Sequence, residues 1–221
     1  MTGNHRFIGD DHTCGIQTAA DPLTDPLTRH RVPAINFCCI VGSVGIGIWL
    51  PQIIKSLGIA SGMVGLVVAL PYLLGAIAMT LWARLANQSR LRLPYVVGAL
   101  AMAAAGLVAA ALIEHSVLKI ACLCLTVASI LSFQATFWAI PSTFLTGRAA
   151  AGGLATIVSI GNLGGFTGPF VIGLIKNATH SYSMPFFAVA AILLVGTCLM
   201  VWLGDPARLT PENNQVPTSA A

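Results

Sequence analysis

Apolar residues run through this chain in six long blocks, and polar residues gather between them. The blocks cover roughly 34–54, 62–83, 94–113, 118–140, 152–175 and 184–203. Each has about the 20 residues that a helix needs to cross the hydrocarbon core of a bilayer. None carries an Asp, Glu, Lys, Arg or His in its interior. The bilayer core offers no water to the backbone, so such a block must close its own hydrogen bonds as a helix. The pattern predicts six transmembrane helices. Trp49, Trp82, Trp138 and Trp202 fall near block ends, where interfacial aromatics belong.

Composition agrees. Of 221 residues, 56% are hydrophobic and 8% charged, against about 25% charged in a soluble domain. The net charge of +4 does not point to nucleic acid, because the basic residues lie between blocks and form no patch. With the N-terminal tail inside, the inner segments hold Arg6, Arg29, Arg31, Arg84, Arg90, Arg92, Arg148 and Arg208, and the outer loops hold Lys55, Lys119 and Lys176. The positive-inside rule then predicts cytoplasmic termini and, in a bacterium, the inner membrane. The expected organisation is a disordered tail over 1–33, a six-helix bundle over 34–204 and a disordered tail over 205–221. Asp10, Asp11, Asp21 and Asp25 interrupt the first tail, which therefore does not read as a signal peptide.

Little in the chain suggests catalysis. Five of six cysteines sit inside apolar blocks and read as packing residues. His12 and Cys14 supply too few ligands for a closed metal site. No HExxH or GxSxG motif occurs, so neither enzyme activity nor a metal or other cofactor is expected.

The six blocks form two sets of three. Trp49 and Trp138 close blocks 1 and 4, Gly65 and Gly153 open blocks 2 and 5, and Gly75 and Gly164 lie deeper in the latter two. The offsets are 89, 88 and 89 residues. Three helices separate each residue from its counterpart, so the two sets run in opposite directions: an inverted repeat, as found within each half of some transporters.

Four motifs stand in order along the chain. They are Gly47-Ile48-Trp49-Leu50-Pro51, then Leu70-Pro71-Tyr72-Leu73-Leu74-Gly75-Ala76, then Phe137-Trp138-Ala139-Ile140-Pro141 with Phe144-Leu145-Thr146-Gly147, and finally Gly161-Asn162-Leu163-Gly164-Gly165-Phe166-Thr167-Gly168-Pro169. On these residues the chain resembles the C-terminal half of a major facilitator superfamily transporter. It is most similar to the anion:cation symporters of tartrate, phthalate and sugar acids. The resemblance covers about residues 22–205 and implies helices 7–12 of a twelve-helix, all-α membrane protein. It also implies a small organic anion as substrate, proton coupling and alternating access. In the family, the charged substrate and proton residues lie mainly in the other half. Such a chain is expected to be a truncated product or one of two separately encoded halves, paired with an N-terminal half or a second copy. The alternative is a non-transporting fragment acting at most through helix association.

Candidate substrate residues are polar or aromatic. Asn162 places an amide among glycines, where it can meet a substrate or bond a neighbouring helix. Gln134 and Trp138 are four apart and share a helix face. The family implies a substrate-facing aromatic at Trp138, which can equally anchor the interface. Tyr72 follows Pro71, which bends a helix and frees a carbonyl. Ser159 is a weaker candidate, since a helical hydroxyl often bonds its own backbone. Gly161 with Gly165, and Gly164 with Gly168, make small-residue pairs suited to close packing, and Pro169 marks a bend. These residues are expected to form a tight interface that accommodates rocking. Arg84, Arg90 and Arg92 match a cytoplasmic gate, but the family's acidic partner near Asn87 is missing. Val158 stands where the family often has asparagine.

Overall fold

The computed structural model describes residues 26–89, 92–139 and 147–204, with side chains placed outside 26–29 and 147–151. Among these residues there are six helices: α1 Pro26–Ser56, α2 Val64–Gln88, α3 Leu93–Leu112, α4 Ser116–Phe137, α5 Gly147–Thr179 and α6 Ser183–Leu203. All six are long and apolar enough to span a membrane, so the chain is a multi-pass integral membrane protein. Every predicted block falls on one helix. Helices α1 and α5, at 31 and 33 residues, exceed the roughly 20 that a bilayer requires. Gly58, at φ +86°, lies in the α1–α2 turn, where a left-handed backbone suits a residue without a side chain.

Packing follows the repeat. Helix α1 packs most extensively on α5, and its counterpart α4 packs on α2. Helix α3 packs on α4, as α6 packs on α1, while α3 and α6 meet each other. Close approaches obey the same rule. A Cβ on Gly75 would lie 2.5 Å from Leu131 of α4, and one on its counterpart Gly164 would lie 2.6 Å from the Phe37 carbonyl of α1. A Cβ on Gly106 would lie 2.5 Å from the Thr126 hydroxyl of α4, and one on Gly196 would lie 2.9 Å from Cys38 of α1. The inverted repeat is therefore built into the contacts and not only into the motif spacing.

Polar groups tie the ends of α1. The Arg31 guanidinium sits 3.7 Å over the Trp202 ring and donates to the Trp202 carbonyl at the end of α6. At the other end, Trp49 packs edge-on to Tyr182, and the Lys176 ammonium faces both rings. Antiparallel α1 and α6 are thus clasped on both sides of the membrane.

Candidate functional site

Gly161, Gly164, Gly165, Gly168 and Gly173 of α5 face α1. A Cβ on Gly161 would overlap the Asn36 amide, and one on Gly168 would overlap the Val41 carbonyl. Gly45 of α1 meets the backbone of Gly168 in return. Gly165 differs, since its Cβ would touch Ile40 and Val44 at an ordinary 3.8 Å. Two hydrogen bonds cross this rail. The Asn36 amide donates to the Ile157 carbonyl at 3.2 Å, and the Trp49 indole donates to the Pro169 carbonyl at 3.1 Å. Gly161, Gly164, Gly168 and Pro169 therefore meet a helix of this same chain. Asn36 is not among the residues that the sequence pattern singles out. It lies near the edge of the first apolar block, yet a lone amide among apolar residues is a signal of interhelical bonding.

Gln134 reaches α1 from α4. Its amide donates to the Ser43 hydroxyl at 3.3 Å, and its side chain also meets the buried Cys39 thiol. Tyr72 approaches α1 from α2, with its hydroxyl 3.1 Å from where a Cβ on Gly47 would stand. Ser43 and Gly47 are one turn apart and share a face. Gln134 and Tyr72 thus converge on one stripe of α1. Trp138 caps α4, its backbone N–H bonded to the Gln134 carbonyl and its ring edge-on to Phe137.

Asn162 and Ser159 lie three residues apart on the exposed side of α5. Neither makes a side-chain hydrogen bond among the described residues, and both side chains are exposed. Val158 is exposed beside them. Arg84 is exposed in the last turns of α2, Arg92 is half-buried at the start of α3, and Arg90 lies outside the described residues. The α2–α3 turn is held by the Trp82 indole donating to the Tyr95 carbonyl and the Ser89 hydroxyl donating to the Tyr95 hydroxyl. The tail residues His12 and Cys14, and the loop from Ile140 to Thr146, also lie outside the described residues. No cluster of metal-ligating side chains occurs among the described residues.

The site offers amide, hydroxyl and aromatic groups and no fixed charge. Such groups can bond the hydroxyls and carboxylate oxygens of a small solute and orient it. Neutralising an anion requires a cation from elsewhere.

Residues 34–220 match the Major Facilitator Superfamily model. Two proteins of Agrobacterium vitis named for tartrate transport are 38% identical over 201 residues and 40% identical over 179 residues. These alignments cover 90% and 81% of this chain, but 44% and 41% of the relatives. A quinolone resistance transporter of Acinetobacter baumannii is 33% identical over 156 residues, covering 70% of this chain and 36% of its own length. The chain thus spans somewhat less than half the length of these relatives. Its six apolar helices, their inverted pairing and this match across the whole bundle agree: the chain belongs to the major facilitator superfamily, a family of membrane transporters and not of enzymes.

Proposed function

We propose that this six-helix bundle is one half of a secondary transporter for small organic anions, tartrate-like dicarboxylates among them. The carrying observation is the 38% identity over 201 residues to a relative named for tartrate transport. The convergence of Gln134 and Tyr72 on α1 supports it, because a polyhydroxy acid needs neutral donors and acceptors as well as a cation. Trp138, one turn along α4 from Gln134, supplies the aromatic group that the family resemblance implies for the substrate. Asn162 and Ser159 contribute from α5 at the face turned toward the second half.

In this reading, the site lies near the bilayer midplane between two halves, and rocking of one half against the other alternates access. Protons supply the coupling ion, and carboxylates of the second half carry them. Both tails are cytoplasmic, in the inner membrane of a bacterial host, and Arg84, Arg90 and Arg92 line the cytoplasmic gate. The partner is a separate N-terminal half or a second copy.

The test is uptake of labelled L-tartrate into cells that co-express this chain with the N-terminal half of a tartrate-transporting relative. Accumulation that collapses with a protonophore is the expected result. No uptake of any dicarboxylate, with both halves present in the membrane, overturns the reading and leaves a fragment that acts through helix association.

A further inference from the structure

Most hydroxyls inside these helices bond their own backbone. Those of Thr80, Thr126, Ser132, Thr167 and Thr197 each donate to a carbonyl three or four residues back. That pairing is the usual resting state of a helical serine or threonine in lipid. Ser43 departs from it. Its oxygen accepts the Gln134 amide, and among the described residues its proton has no acceptor. It is half-buried, on the stripe of α1 that the Tyr72 hydroxyl approaches one turn further on. Ser129 and Ser159 also lack a backbone bond, but Ser159 lies on the exposed side of α5, and Ser129 is buried at the edge of a pocket of about 80 Å³ between α2, α3 and α4, beside Trp82 and Met102. Ser43 is only half-buried, so its hydroxyl is open to a solute that reaches this face of α1 and can donate to it.

We propose that Ser43 is a ligand-contacting residue. The Gln134 amide seats its oxygen, and the Ser43 O–H donates to a hydroxyl or carboxylate oxygen of the bound solute. The Tyr72 hydroxyl stands on the far side of the same ligand group. This assignment rests on the transport reading above and adds a specificity-determining residue that sequence reasoning missed.

The test uses the full chain in membrane vesicles together with the N-terminal half of a tartrate-transporting relative. Ser43→Cys is exposed to a hydrophilic methanethiosulfonate reagent, with labelling of residue 43 followed by mass spectrometry. Binding of L-tartrate to the unsubstituted protein is measured by calorimetry in parallel. Labelling of residue 43 that tartrate slows at least threefold is expected, with tartrate affinity weakened roughly tenfold in Ser43→Ala and kept within about twofold in Ser43→Thr. Absence of labelling overturns the inference, because Ser43 then faces no aqueous cavity. Labelling without protection, while the unsubstituted protein binds tartrate, overturns it too and leaves the anion reading standing. An unsubstituted protein that binds no dicarboxylate sinks both.

Discussion

Two helix pairs in this chain are counterparts under the repeat, yet they are fastened differently. In the α1–α5 pair, backbone meets backbone. Gly164 and Gly168 admit the Phe37 and Val41 carbonyls directly, Gly161 admits the Asn36 side chain, and two side-chain hydrogen bonds cross the seam. In the α4–α2 pair, the close approach at Gly75 is to the tip of the Leu131 side chain. No hydrogen bond crosses that seam among the described residues, and an apolar groove of about 600 Å³ opens beside it, lined by Leu70, Ile77, Leu81 and Leu125 among others. The same topology thus yields one seam fixed by backbone and one adjusted by rotamers. Helix association in lipid lacks a hydrophobic drive and depends on such packing and hydrogen bonds. The difference assigns α1 and α5 to a rigid unit and leaves α2 freer to shift against α4.

The largest effect is expected from Gly168→Ala. The added carbon meets the Val41 carbonyl, which cannot swing aside, and overpacking of this kind costs about 1–3 kcal/mol. Thermal unfolding in detergent should show a clear fall in the midpoint, and an unchanged midpoint would remove the rigid seam.

Next comes a suppression test. Gly161→Ala drives a methyl into the Asn36 amide and should destabilise by a similar amount. Asn36→Ala alone loses one interhelical hydrogen bond, about 0.6 kcal/mol on average in membranes. The double substitution should be no worse than Asn36→Ala by itself. Additive losses would mean that the two residues do not meet.

The smallest effects separate neighbouring glycines. Gly75→Ala should cost about 0.5–1.5 kcal/mol, the penalty for pushing Leu131 off its rotamer. Gly165→Ala meets only ordinary contacts and should gain about 0.5–1 kcal/mol through the lower backbone entropy of alanine. If Gly165→Ala harmed the protein as much as Gly168→Ala, the facing of α5 would be wrong.

Much of the fold was legible beforehand because lipid leaves few choices. An apolar block of this length has to be a helix, and six blocks with segregated arginines fix the number of spans. The repeat showed itself in Trp49 and Trp138, and the contacts at Gly75 and Gly164 carry it into three dimensions. The candidate site was less legible. Gln134 and Tyr72 were visible as polar residues in apolar blocks, but their meeting on one stripe of α1 depends on how three helices cross. Ser43 looked like any small helical residue until its neighbours showed that its hydroxyl does not bond its own helix. Asn162 and Ser159 share a face, as their spacing requires, on the outer side of α5.

The order of residues along the chain is enough to specify a six-span bundle of inverted threes and its membership in a transporter family. Those properties rest on segment length, charge placement and motif order, which are local or linear quantities. Which glycines touch backbone, the crossing of Asn36 to Ile157 and the pairing of Ser43 with Gln134 emerge from the packed helices. Those outcomes depend on the rotation of each helix about its axis, and uniformly apolar helices leave that rotation to packing.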